Sequence, residues 1–95
     1  MRIEETLISN KLVHECAVVG IKDAILAYRS VAFIVLSDKT IIAENAQNQI
    51  EVYAHEHLPD SHWPDEYVFI DKLPITRAGK VDYRALEKEA QGLHS

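Results

Sequence analysis

One glycine-lysine pair, Gly79-Lys80, stands in the polar middle of Leu73-Pro74-Ile75-Thr76-Arg77-Ala78-Gly79-Lys80-Val81-Asp82-Tyr83-Arg84-Ala85-Leu86. A lysine ammonium is a compact point charge on a flexible stem, suited to meeting phosphate or carboxylate oxygens. Pro74 fixes its own φ and biases Leu73 towards extended geometry, while Gly79 can take backbone angles closed to other residues. The loop can therefore be tight and still aim Lys80 outward. Thr, Arg, Gly and Lys are also common loop residues, so composition alone fits an ordinary solvated turn. A standard phosphate-binding loop is excluded, because it needs a Gly where Pro74 stands and a Ser or Thr where Val81 stands.

Two elements must hold this loop. The apolar run Tyr67-Val68-Phe69-Ile70 reads as a strand leading in, and Tyr83, Leu86 and Ala90 lie at helical spacing leading out, with Asp82 placed to cap that final helix. Further back, Ile42, Ala46, Ile50, Ala54 and Leu58 repeat every four positions from about Ile41 to Leu58, the clearest amphipathic helix in the chain. Pro59 and Asp60 terminate it, and residues 60–64 form a loop. Ser30 to Leu36, rich in Val, Ile and Phe, reads as a central strand buried on both faces, and Val13 to Gly20 as the strand before it. The connection from Gly20 to Arg29 carries an apolar patch, Ala24-Ile25-Leu26-Ala27-Tyr28, expected as a short turn of helix or as packing across the sheet. Ile3, Leu7 and Ile8 predict a helix that starts almost at the first residue without a capping residue, an abrupt opening that suggests a chain cut from something longer. The order predicts an α+β fold: a small three-stranded sheet packed by the long amphipathic helix and flanked by terminal helices, with residues 1–95 as one domain.

Composition narrows the function. At 47% hydrophobic and 26% charged residues the chain is an ordinary globular one, long enough for a modest core. A net charge of -5 with scattered basic residues argues against a nucleic-acid surface. The lone Cys16 cannot form an internal disulfide, and inside the run Cys16-Ala17-Val18-Val19 it reads as a buried structural thiol, which fits a reducing, cytoplasmic setting. No apolar run reaches the length of a membrane span, and the first residues lack the apolar segment of a secretion signal. His55-Glu56-His57 with His62 nearby raises metal binding, but residues two apart do not share a helix face and a zinc site needs three or four convergent ligands. Solvated helix-end histidines are expected instead, and Trp63 is expected to cover the edge of a core.

Leu-Pro-x-Thr-x-x-Gly-Lys-Val-Asp-x-x-x-Leu, as it stands from Leu73 to Leu86, resembles the closing motif of the adenylate-forming superfamily, which includes acyl-CoA synthetases, peptide-synthetase adenylation domains and luciferases. Ile3 to Leu7, Val13 to Asp23, Val31 to Leu36 and Trp63 to Asp71 resemble the small C-terminal domain of that superfamily in order and spacing. The resemblance implies a mobile lid on an N-terminal adenylation core that binds ATP, with Mg2+, and a carboxylic acid. It assigns Lys80 as the catalytic lysine of adenylate formation and gives Thr76, Arg77 and Gly79 the role of shaping and positioning its loop. A thiol, CoA or a carrier-protein pantetheine, would then displace AMP; Tyr28-Arg29 could touch the nucleotide or the pantetheine arm. The core, its phosphate loop and the hinge that should precede Ile3 are absent, so the chain alone is expected to be inactive and to work with a core in cis or in trans. An acyl-CoA synthetase lid is the first reading; the lid of a carrier-protein-loading adenylation domain, or a stand-alone binding or regulatory module, are the alternatives. A glycine is common in the family near Ala27, which leaves that backbone open.

Overall fold

The computed structural model describes residues 2–25 and 27–93. Helix α1 (Arg2–Ile8) leads to strand β1 (Val13–Asp23) and strand β2 (Ala27–Leu36), then to helix α2 (Ala43–His57) and a short 3-10 turn (Asp60–His62). Strand β3 (Glu66–Phe69) and helix α3 (Tyr83–Leu93) complete the chain. The expected α+β arrangement holds, and no described helix is long and apolar enough to cross a membrane.

The sheet order is β1-β2-β3, with β1 antiparallel and β3 parallel to the central β2. Antiparallel neighbours need only a tight turn, whereas a parallel pair needs a long crossover, which α2 supplies. Because β2 has helices on both sides, Val31 to Leu36 is continuously buried, as its sequence predicts. Alternation along the strands divides the core in two. Cys16, Val18, Ala32, Ile34 and Leu36 face α1 and α2, meeting Leu7, Ala46, Ile50, Ala54, Leu58 and Tyr67. Ala17, Val19, Ile21, Val31, Phe33 and Val35 face the other way, against Leu73, Leu86 and Ala90. The lysine loop and α3 therefore sit on the face opposite the long helix.

The structure corrects three expectations. In the connection from Gly20 to Arg29, the described residues of the patch, Ala24, Ile25, Ala27 and Tyr28, are neither helical nor packed on the sheet: β1 runs to Asp23 and β2 begins at Ala27, so they lie at the end of a hairpin. Ile25 is 91% and Tyr28 69% exposed there, and Leu26 lies outside the described residues. Ile42 does not join the buried stripe of α2 but is its N-cap, 67% exposed, while its neighbour Ile41 packs on the core. The loop before β3 contains a 3-10 turn, closed by the His62 N–H donating to the Pro59 carbonyl at 2.8 Å.

Candidate functional site

The segment from Leu73 to Tyr83 forms a miniature hairpin. Leu73 is buried against the sheet and anchors its base, and Ile75 bridges Val81 across it. The Gly79 N–H donates to the Thr76 carbonyl at 2.9 Å, and the Thr76 N–H donates to the Lys80 carbonyl at 2.7 Å. Gly79 has φ +82°, the left-handed region that a three-residue hairpin loop of this kind requires after its turn. Glycine takes it without steric cost. The Lys80 N–H also reaches the Thr76 hydroxyl at 3.4 Å.

Beyond the lysine the loop is fixed again. The Asp82 N–H donates to the Pro74 carbonyl at 2.8 Å, and its carboxylate caps α3 by accepting the Ala85 N–H at 3.1 Å. Lys80 itself is exposed, and among the described residues nothing pairs with its ammonium. The result is a free cation on a rigid mount. Thr76 and Gly79 make the backbone hydrogen bonds of the turn, whereas exposed Arg77 occupies it without a partner among the described residues.

The tip of the loop, residues 75–80, is mostly exposed, while Leu73 and Pro74 at its base line a cleft of about 390 Å³ with Ile70, Ala85 and Glu89. A cleft of about 690 Å³ lies elsewhere, lined by Ser9, Leu12, Gln49, Val52 and Tyr53 between α1 and α2, and includes no residue of the loop. Arg29 is paired with Asp23, its Nε donating to Oδ2 at 3.0 Å. Tyr28 beside it is exposed. His55 stacks on Trp63 with centroids 3.8 Å apart and His57 on Tyr53 at 4.0 Å, so the two rings serve different neighbours. Among the described residues no group of three His, Cys, Asp or Glu converges as a metal site would require. Trp63 packs on the core edge as predicted, with its indole N–H donating to the Leu58 carbonyl at 2.8 Å. Cys16 is buried, and burial first, then the charge of Glu4, push its thiol to about 12.

Glu4 is the contact that sequence reading missed. Its carboxylate accepts the Val18 N–H at 2.7 Å and the Tyr83 O–H at 3.0 Å, joining α1, β1 and α3. Nothing local signals this, since Tyr83 lies 79 positions away and a Glu in the first turn of a helix is commonplace.

Comparison with known proteins places the whole arrangement. The chain is 33% identical over 90 residues to an acetyl-coenzyme A synthetase of Pyrobaculum aerophilum, a match covering 95% of this chain and 13% of that protein. It is 37% identical over 89 residues to the vibriobactin-specific 2,3-dihydroxybenzoate-AMP ligase of Vibrio cholerae, covering 90% and 16%. A benzoate CoA ligase of Burkholderia xenovorans superposes with a TM-score of 0.81 at 29% identity, covering 90% of this chain and 17% of that one. An anthranilate CoA ligase in complex with anthranoyl-AMP gives 0.80 at 32%, covering 96% and 18%. The chain thus spans less than a fifth of the length of each of these relatives. The model of the AMP-binding enzyme C-terminal domain matches residues 2–80, which takes in the whole sheet, α1, α2 and the loop up to its lysine. This chain belongs to the AMP-binding enzyme C-terminal domain family.

Proposed function

We propose that this chain is the mobile lid of an ATP-dependent, AMP-forming ligase and that Lys80 is its catalytic residue for adenylate formation. The observation that carries the reading is the free Lys80 ammonium on a hairpin pinned by Thr76, Gly79 and Asp82. In the first half-reaction a carboxylate oxygen attacks the α-phosphate of ATP, forming the acyl-adenylate and releasing pyrophosphate. Both reactants are anionic, and a cation held between them stabilises the charge that develops in the transition state. In the second half-reaction a thiol displaces AMP. The exposed Lys80 suits a site completed by a partner: an N-terminal adenylation core, joined in cis or acting in trans, closes the site and excludes water.

The loop offers no Mg2+ site of its own. Its carboxylate, Asp82, is engaged as the cap of α3, so no step is assigned to a metal on this chain. The first reading takes CoA as the acceptor thiol. A second, with a carrier-protein thiol, draws on the resemblance of Gly79-Lys80-Val81-Asp82 to the closing motif of carrier-protein-loading adenylation domains. Measuring thioester formation with CoA and with a carrier protein bearing a free pantetheine thiol separates the two.

The test is a full-length enzyme in which this chain replaces the C-terminal domain of a matched CoA ligase. Lys80→Ala is expected to reduce adenylate formation, read as ATP–pyrophosphate exchange, by about a hundredfold or more, while thioester formation from supplied acyl-adenylate is largely spared. Equal loss in both half-reactions would remove Lys80 from the role given to it here. The native size of the protein in extract of its source cell, read by immunoblot, reports whether the core is joined in cis.

A further inference from the structure

Glu4 and Tyr83 sit at opposite ends of the chain, yet the phenol donates to both oxygens of the carboxylate at 3.0 Å. The same carboxylate accepts the Val18 N–H at 2.7 Å. Val18 lies on β1, whose one sheet neighbour is β2, so Glu4 satisfies a donor on the open edge of the sheet. Hydrogen bonds to an ionised acceptor are shorter and stronger than neutral ones. The carboxylate is thus fixed by the sheet before it meets the phenol.

Tyr83 is the first residue of α3 and lies three positions after Lys80. Every residue between them is also held: Val81 bridges Ile75, and Asp82 binds Pro74 on one side and Ala85 on the other. Displacing the start of α3 therefore displaces the base of the lysine loop. Leu86 and Ala90 bury one side of α3, while Tyr83 at its start is 40% exposed. The bond to Glu4 adds a tie to α1 and the sheet edge at the residue where α3 leaves the lysine loop. Burial first, and then this hydrogen bond, raise the Tyr83 hydroxyl pKa above its ordinary value, in keeping with a phenol held in its protonated, donating form.

We infer that Glu4 is a positioning residue for Lys80, acting through the Tyr83 hydroxyl to hold the lysine loop in register with α1 and the sheet edge. The catalytic meaning of that position rests on the reading of Lys80 given above.

The test has two arms. In the full 95-residue chain, amide exchange is followed in the wild type, Tyr83→Phe, Glu4→Ala and the double variant. Tyr83→Phe removes one oxygen from a partly exposed ring and leaves the core untouched. Exchange of the Thr76 and Asp82 amides is expected to rise about tenfold, the scale of one hydrogen bond to a charged acceptor, while that of Phe33 is unchanged. In the Glu4→Ala background, Tyr83→Phe is expected to change nothing further. In the second arm, the grafted enzyme carrying Tyr83→Phe is expected to lose about tenfold in kcat of adenylation with KM for ATP unchanged and thioester formation spared. Unchanged loop exchange, or additive effects of the two substitutions, overturns the inference even if Lys80→Ala behaves as proposed. Should Lys80→Ala spare adenylation, the assignment of Lys80 falls, and the exchange arm still decides whether Glu4 holds the loop.

Discussion

Thr76 and Lys80 bind each other twice: the Thr76 N–H donates to the Lys80 carbonyl at 2.7 Å, and the Lys80 N–H reaches the Thr76 hydroxyl at 3.4 Å. The residue that lets the chain turn between them is Gly79 at φ +82°, with open space where a Cβ would stand. Replacement by alanine thus meets backbone strain and no clash. Gly79→Ala is expected to lower stability by about 1 to 2 kcal/mol, read as a fall in Tm of several degrees, whereas Ala78→Gly, one residue earlier, should cost less. A Gly79→Ala protein that melts with the wild type would show that the loop does not need this conformation.

The opposite substitution is expected to stabilise at the other hairpin. Ala27 has φ +68°, the one described non-glycine residue with positive φ. An alanine there bears the crowding of its Cβ against the backbone carbonyl. Ala27→Gly removes that strain and gives back part of the gain as unfolded-chain entropy, for a net increase of about 0.5 to 1 kcal/mol. Thermal unfolding of the single variant checks it; a lower Tm would mean that tertiary contacts, not backbone preference, set this turn.

Local interactions were legible in the sequence and long-range ones were not. Asp82 as cap, Gly79 as the turn residue and the buried Ala46, Ile50 and Ala54 all involve neighbours within a few positions, so residue type and spacing announce them. Ile42 belongs to the same four-residue repeat yet is exposed, because the helix starts one residue later and the chain enters it from another direction. The patch from Ala24 to Tyr28 looked buried by composition, but the register of β1 on β2 places it at the far end of the hairpin. Composition does not tell where a sheet outruns its helices. Glu4 was invisible for a simpler reason: its partners lie 14 and 79 positions away.

Tyr67 carries the one buried side-chain oxygen left without a partner among the described residues. It is 7% exposed, between α2 and the sheet. A buried hydroxyl with no partner loses its hydration for nothing in return. Tyr67→Phe keeps the ring and deletes the orphaned atom, so urea unfolding at neutral pH should show a gain of about 1 kcal/mol. A loss of stability would mean that the hydroxyl is bonded in solution, through an ordered water.

Alkaline pH should expose both buried acids on this face. Burial first, then the charge of Glu4, raise Cys16 from an ordinary 9.0 to about 12; burial, then Glu51 and Cys16, raise Tyr67 from 10.0 to about 12. Each group binds its proton more tightly folded than unfolded, so its contribution is fully present below the unfolded pKa and is lost as pH rises through the folded one. Stability should therefore be level to about pH 9 and fall between pH 9 and 12, on the order of 4 kcal/mol for the thiol alone. Cys16→Ala lowers the plateau by opening a small cavity but should flatten the slope, which urea titrations at pH 8, 10 and 11 would read as a shrinking difference from wild type. The same thiol should resist a disulfide reagent at pH 8 in the folded chain and react promptly in urea, because only the thiolate attacks. Rapid labelling of the folded chain would mean that the α1 face opens to solvent far more often than its packing against Leu7 and Ile50 implies.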